Sequence, residues 1–215
     1  TKGRELYWRM SDATGQTWTQ DRKLAGMGGH YQISNSRAGR VVTALNMHPG
    51  GNVDRRTNLY FVQTEDQGRT WRTASGEVVE TPIIDPGSPA LVRNYRADNK
   101  LVYLKDIAFD QQGHPVILHI TSRHHQPGPA AGPRTWTIAH WKGDHWVFHE
   151  VTKSTHNYDM GSLYIETDGR WRIIGPTEPL PQPHGTGGEI SRSISEDQGQ
   201  TWKKTRDITQ DSPRN

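Results

Sequence analysis

Histidine, arginine and tyrosine side chains recur along this chain at positions that suit proton transfer beside a bound anion. His30 and His48 stand 18 residues apart, and Arg55 and Arg56 follow shortly after them. A neutral imidazole accepts a proton near pH 7, a phenol or second imidazole can return one, and a guanidinium stabilises developing negative charge. These are the residue types that acid–base chemistry on an anionic substrate requires.

The adjacent pair His124 and His125 raises the separate question of a metal ion. Neighbouring histidines in sequence rarely bind one ion together, and the chain has neither cysteine nor an HExxH motif. We therefore predict no cofactor, and we leave open a structural metal ion.

The elements that position these residues can be inferred from an octet that occurs three times. The copies are SDATGQTW at Ser11 to Trp18, TEDQGRTW at Thr64 to Trp71 and SEDQGQTW at Ser195 to Trp202. Each has a glycine where a hairpin needs positive φ, and Asp66 and Asp197 can accept hydrogen bonds from the turn backbone. The first copy has Ala13 at that position, so we expect a degenerate turn. The pattern resembles the Asp-box, or BNR repeat, of sialidases and other β-propellers, where it implies a structural turn on the outer rim and buried tryptophans beside it.

Alternating apolar residues and turn signals predict an all-β fold of four-stranded antiparallel blades. The glycines of successive hairpins, Gly15, Gly68, Gly143 and Gly199, are spaced by 53, 75 and 56 residues. A period near 50 with four strands per unit is typical of a β-propeller. We predict a half-blade at 1–25 and blades at 26–75, 76–152 and 153–215, about half of a seven-bladed ring with Asp-box turns.

Propeller topology predicts which side chains converge. The loops from strand D to strand A and from strand B to strand C lie together at the channel mouth. His30, at the start of a strand A, and His48, at the end of a strand B, should therefore share that face. Further residues on the same face are Arg55, Arg56, Tyr95, Arg123, His124, Tyr158 and His184.

Three segments carry a more specific resemblance: GGHYQIS at Gly28 to Ser34, NMHPGGNVDRRTNLY at Asn46 to Tyr60 and NYDMGSLYIETDGRWRIIGPTEP at Asn157 to Pro179. They resemble BNR-repeat proteins of bacterial polysaccharide-utilisation systems, and are similar to propeller-fold polysaccharide lyases of the ulvan and rhamnose–glucuronate type. The resemblance implies that His30 and His48 form a catalytic pair, with Arg123 and either Tyr158 or Tyr95 completing the site. Arg55, Arg56, Tyr95, His124 and His184 are then candidate substrate-binding residues.

The implied reaction is β-elimination on a uronate-containing glycan. An arginine would neutralise the carboxylate, a histidine would take the C5 proton, and a tyrosine or second histidine would protonate the leaving oxygen. Two alternatives stay open: a sialidase-like glycoside hydrolase, whose Arg-Ile-Pro signature is absent from this sequence, and a non-catalytic glycan-binding propeller.

Composition favours an acidic glycan as partner. The net charge is +3 and the pI about 9.2, yet lysines and arginines are scattered and form no nucleic-acid motif. No apolar run approaches the roughly 18 residues of a membrane span. We expect an acidic polysaccharide or oligosaccharide as partner, no nucleic acid, and a monomer when the ring is complete. We also expect a secreted or periplasmic bacterial protein, although no signal peptide is visible.

Overall fold

The computed structural model describes residues 4–126, 128, 131–156, 160–178 and 188–212. Within these residues the chain is almost entirely β-structure. The described helical segments include two single 3-10 turns, Pro49–Gly51 and Val53–Arg55, and none of the described segments is a helix that could cross a bilayer.

The strands form four antiparallel sheets that follow one another along the chain. A half-blade contains β1 (Leu6–Trp8) and β2 (Arg22–Ala25). The first blade contains β3 (Gln32–Arg37), β4 (Arg40–Met47), β5 (Thr57–Thr64), β6 (Trp71–Arg72), β7 (Val78–Val79) and β8 (Leu91–Arg93). The second blade contains β9 (Leu101–Phe109), β10 (Pro115–Ser122), β11 (Arg134–Trp141) and β12 (Trp146–Ser154). The third blade contains β13 (Ser162–Ile165), β14 (Trp171–Pro176), β15 (Ile190–Ser195) and β16 (Lys203–Asp207).

Within each blade, strands that are neighbours in sequence are neighbours in the sheet. The order is β3-β4-β5-β6-β7 in the first blade, β9 to β12 in the second and β13 to β16 in the third. This up-and-down order confirms the predicted fold class. The sequence did not predict two short strands: β7, and β8, which pairs with β5 along the same edge as β6. They are too brief for an alternating pattern to be recognised.

The hydrophobic cores lie between consecutive blades. In the core between the first two blades, Val42 and Phe61 pack with Ile117. In the core between the second and third blades, Trp136 packs with Trp171. Because middle strands are covered on both faces, all eight residues of β5 and of β10 are buried.

The octets form the turns that the sequence predicts, with one difference. Asp197 Oδ1 accepts from the backbone N–H of Thr201 at 2.9 Å, as Asp66 Oδ1 does from Thr70 at 2.9 Å. In the first copy Asp12, one position before Ala13, caps the turn through the N–H of Thr14 at 3.0 Å. The degenerate octet therefore retains its carboxylate cap.

The octet tryptophans differ in burial. Trp71 is 5% exposed, as predicted, and Trp202 is half-buried, whereas Trp18 is 53% exposed. Trp71 packs edge-on against Trp8 of β1 with ring centroids 5.8 Å apart. The octets thus differ in how much they contribute to the cores.

Candidate functional site

The loop after β4 is fixed against the start of β9 at one end of the blades. Asn46 Nδ2 donates to the carbonyl of Val102 at 3.0 Å, and the N–H of Val102 donates to the carbonyl of Arg56 at 3.1 Å. Thr57 Oγ1 donates to the carbonyl of Lys100 at 2.7 Å. These bonds bring side chains of the first and second blades into one region at the strand ends.

His48 lies at the centre of this region and is only 1% exposed. Its ring meets that of Tyr31 edge-on, with centroids 5.1 Å apart. The close approach depends on Gly29, where a Cβ atom would lie 2.7 Å from His48 Nδ1. His48 Nε2 is buried and has no hydrogen-bond partner among the residues that the structure describes.

Burial lowers the pKa of His48 to about 4, and the positive charge of Arg56 acts in the same direction. The imidazole is therefore neutral at pH 7 and keeps a nitrogen lone pair. A neutral histidine beside a fixed cation can accept a proton from a substrate whose negative charge the cation stabilises.

The cation at this place is Arg56, which is 5% exposed. Its guanidinium lies over the ring of Tyr31 at 5.0 Å and over the ring of Tyr103 at 4.7 Å, and its Nε donates to the carbonyl of Val53 at 2.7 Å. Two aromatic faces and a backbone carbonyl thus hold the guanidinium in one orientation.

His30 and His48 lie on opposite sides of the β3–β4 sheet. Asn46 and Tyr31 are opposite one another in the β3–β4 ladder, so His48 and Tyr31 share one side of the sheet, whereas His30 pairs with Met47 on the other. The Nδ1 of His30 meets the Asn46 carbonyl at 2.7 Å, and its Nε2 accepts from the N–H of Met27 at 3.1 Å. Both ring nitrogens of His30 are occupied by main-chain groups, so this placement does not support His30 as a proton-transfer group, and its place at the channel mouth with His48 stays a prediction.

Tyr95 also differs from its predicted placement. It is 2% exposed, and its hydroxyl lies 2.8 Å from Nε2 of the buried His119. Burial raises the pKa of the Tyr95 phenol and lowers that of His119 to about 3. The pair is neutral and belongs to the core between the first two blades, away from solvent, so the placement does not support a substrate contact.

Arg123 and His124 lie on the loop between β10 and β11, beside a cavity of about 570 Å³ that Lys100 also lines. Both side chains are exposed, as is that of Arg55. Three cationic side chains and a histidine therefore reach solvent at this end of the molecule, close to the loop that carries Arg56.

Contacts with Arg134 and with Asp54 hold the loop that carries Arg123. The buried Arg134 donates to the carbonyls of Ala131 at 2.9 Å and Gly132 at 2.6 Å. His125 Nε2 lies 3.9 Å from Asp54 Oδ2, which connects this loop to the loop after β4. The two predicted loops thus meet, as the topology implied. Tyr158 and His184 lie outside the described residues.

The sequence of the chain matches a known protein family. Residues 2–154 match the family described as BNR repeat-containing. The chain belongs to the BNR repeat-containing family. No curated protein matches this BNR chain in a sequence search.

Solved structures resemble the BNR chain at low sequence identity. A polysaccharide lyase described as an ulvan lyase of a new family superposes with a TM-score of 0.76 and 14% identity, over 95% of this chain and 50% of the lyase. The ulvan lyase bound to -[GlcA(1-4)Rha3S]- gives 0.74 and 14% with the same coverage. A Hadza microbial sialidase gives 0.61 and 14%, over 94% of this chain and 40% of the sialidase. The chain thus spans about half of the length of the lyase and 40% of the length of the sialidase. At 14% identity, the likeness to these structures shows the fold alone.

The sequence analysis missed three side chains of this region in the BNR chain. Tyr31 lies between His48 and Arg56, while Tyr103 and Lys105 stand on β9, with the Lys105 ammonium 6.0 Å from the Tyr103 ring. Register could have identified Tyr31, because it lies opposite Asn46 and hence on the side of His48. Tyr103 and Lys105 come from the neighbouring blade, and no local pattern marks them.

Proposed function

We propose that this protein cleaves a uronate-containing acidic glycan by β-elimination, with His48 as the general base. The observation that carries the proposal is the neutral His48 beside Arg56 at the strand ends, where no group in the described part of the chain hydrogen-bonds to Nε2. A base of this kind next to a desolvated guanidinium suits removal of a proton α to a carboxylate.

The elimination can be written with the residues of this region. His48 takes the C5 proton of the uronate, the electron pair forms the double bond between C4 and C5, and the bond from C4 to the glycosidic oxygen breaks. Tyr31, whose side chain is 43% exposed, is placed to return a proton to the leaving oxygen. The positive charge of Arg56 stabilises the enolate-like charge on the carboxylate, and each proton transfer contributes about 10² to 10⁴ in rate.

The exposed cations extend this site toward a longer chain. Arg55, Arg123 and Lys100 supply positive charge around the strand ends, with Asp54 as the acidic side chain facing them. An acidic glycan with a charge on each repeat unit would meet several of these groups at once. The fold likeness to an ulvan lyase, one structure of which holds a glucuronate-containing ligand, supports this substrate class. Secretion, and a monomer when the ring is complete, stay predictions.

One observation favours a second candidate, a non-catalytic glycan-binding propeller. His48 and Arg56 are almost fully buried, whereas Arg55, Arg123 and His124 reach solvent. A surface that offers only cations binds an acidic chain without transferring protons. In this alternative Arg56 and His48 stabilise the junction of two blades.

A product assay separates the possibilities. The purified protein is incubated with a glucuronate-containing polysaccharide, and the unsaturated uronate product is followed by its ultraviolet absorbance. β-Elimination predicts that the absorbance increases. If the protein binds the glycan but the absorbance does not increase, β-elimination is rejected. Release of sialic acid from a sialoside would instead indicate the hydrolase. Arg55→Gln should weaken glycan binding in either the lyase or the binding protein, so this variant tests the surface independently of the chemistry.

A further inference from the structure

Three potential metal ligands converge at the opposite end of the second blade, where the hairpin between β9 and β10 turns. Asp110 directly follows β9, His114 directly precedes β10, and His140 lies near the end of β11. One ligand atom from each lies within 4.8 Å of the other two. This group is remote in sequence from His48 and Arg56 and takes no part in the proposed elimination.

The separations suit a small ion bound by nitrogen and oxygen. Asp110 Oδ2 lies 2.8 Å from His140 Nε2 and 3.4 Å from His114 Nδ1. Ligands about 2.0 to 2.1 Å from a tetrahedral zinc ion stand roughly 3.3 Å from one another, so both separations need only small adjustments. When the ion binds, His140 Nε2 would ligate through its lone pair and the ring proton would reside on Nδ1, so the imidazole stays neutral and the direct His140–Asp110 hydrogen bond is replaced by ligation.

The surroundings hold the ligands and leave an approach from solvent. Asp110 and His140 are 4% and 1% exposed, whereas the side chain of His114 is 33% exposed. Asp110 Oδ1 accepts from the N–H of His114 at 2.7 Å, which fixes the carboxylate within the turn. Arg37 and Arg40 of the first blade donate to the carbonyls of Asp110 and Gly113, so their positive charges bind the turn backbone.

We propose that Asp110, His114 and His140 bind a zinc ion as a structural site of the second blade. Three protein ligands of this type leave one coordination position for water on the exposed side of His114. One carboxylate and two neutral imidazoles give a ligand set of borderline softness that suits zinc better than calcium or magnesium, which prefer oxygen. The ion would join the β9–β10 hairpin to β11.

Zinc binding to the chelator-treated, full chain tests the proposal by isothermal titration calorimetry, with His114→Gln as the variant. His114 is the most exposed of the three, and its turn contact to Asp110 uses the backbone N–H, so the fold should survive the change. His145→Gln is the matched control, because His145 pairs with Asp144 at 2.6 Å in an exposed pair outside the group. Substitution of a metal ligand, or of a residue that hydrogen-bonds to a ligand, typically weakens metal binding by about tenfold or more.

The expected result is one zinc ion per chain, a weakening of at least about tenfold in His114→Gln, and unchanged binding in His145→Gln. Melting temperature should rise with zinc in the unmodified protein and the control, and rise less in His114→Gln. Cobalt bound in place of zinc should show the visible spectrum of a four-coordinate ion. Absence of binding, or equal binding by His114→Gln, overturns the proposal whatever the outcome of the glycan assay.

Discussion

At the scale of single residues, burial lowers the pKa of two histidines, His48 and His119. His48 and His119 are both buried, and among the described residues each has one ring nitrogen without a hydrogen-bond partner. His48 lies beside Arg56, whereas the second ring nitrogen of His119 lies 2.8 Å from the Tyr95 hydroxyl. The same desolvation therefore produces a candidate base in one place and a neutral core contact in the other. Their different partners decide which histidine can serve chemistry.

The proposed base predicts the pH dependence of activity. A general base acts when it is deprotonated, so kcat/KM should rise with pH through the pKa of His48, about 4, and not through the ordinary value near 6.5. Initial rates between pH 3.5 and 8, at constant ionic strength, measure this. An acidic limb centred near pH 6.5 would assign proton acceptance to a group other than His48.

Histidine burial also predicts a pH dependence of stability. His119 has a folded pKa of about 3 against about 6.5 when unfolded, so the unfolded chain binds more protons between these values. The free energy of unfolding should therefore fall as pH drops from 6.5 toward 3. His119→Gln keeps a polar partner for Tyr95 and should flatten this slope in urea titrations, whereas the exposed control His145→Gln should leave it unchanged. Equal slopes in all three proteins would contradict the stated cause.

At this scale the sequence predicted part of the site. His48 directly follows β4 and Arg56 directly precedes β5, at the strand ends where the topology predicts site residues, and their roles stay predictions. His30 and Tyr95 carry the right residue types at the right spacing, but hydrogen bonds to Asn46, Met27 and His119 occupy them. Hydrogen bonds that form only when distant parts of the chain pack together leave no local signal in the sequence.

At the scale of elements, the repeated octet acts through its carboxylate. The Asp197 carboxylate accepts three hydrogen bonds, from the hydroxyl and the N–H of Thr201 and from the hydroxyl of Ser195, and these contacts lower its pKa to about 2. Gln200 Nε2 donates to the backbone carbonyl of Asp197. The same arrangement in three hairpins explains why the octet recurs: each copy closes a turn that must connect two short strands.

The turns predict a stability effect without an effect on activity. Asp197→Ala should lower the melting temperature by a few degrees at pH 7, because the turn loses charge-assisted contacts. The same substitution should cause little change at pH 2, where the carboxylate is half protonated in the parent protein. Calorimetry at both pH values measures this, and Asp144→Ala in an exposed turn serves as control. An equal loss at both pH values would show that packing, and not charge, stabilises the turn.

The sequence predicted most elements because their signals are local. Glycines in turns and alternating apolar residues identified the strands of all three blades. The short β7 and β8 and the shifted cap Asp12 went unpredicted, because a two-residue strand has no period and a cap can move by one position.

At the scale of the whole molecule, consecutive blades are joined by asparagine side chains as well as by cores. Asn35 Nδ2 donates to the carbonyl of Ile107 at 2.8 Å, and Asn46 Nδ2 donates to that of Val102 at 3.0 Å. Both bonds connect the first blade to β9. They fix the angle at which two blades meet, and hence the relative positions of Arg56 and Tyr103.

Asn46→Ala tests this junction. The side chain is fully buried and also accepts from the N–H of Tyr31 at 2.8 Å, so its loss leaves two backbone groups unpaired. The free energy of unfolding should fall by about 2 to 4 kcal/mol. Urea denaturation measures the change, and Asn94→Ala on an exposed loop is the control. A loss as small as that of the control would mean that the cores alone set the blade junction.

The most direct test of the central claim compares the rates at which unsaturated product forms from a glucuronate-containing polysaccharide in the parent protein, His48→Gln and the control His145→Gln. Melting temperature and glycan binding are measured in parallel to show that each variant is folded. The account predicts that His48→Gln binds the glycan but forms product about 10² to 10⁴ times more slowly, while His145→Gln matches the parent. A folded His48→Gln variant that forms product at the parental rate would contradict it.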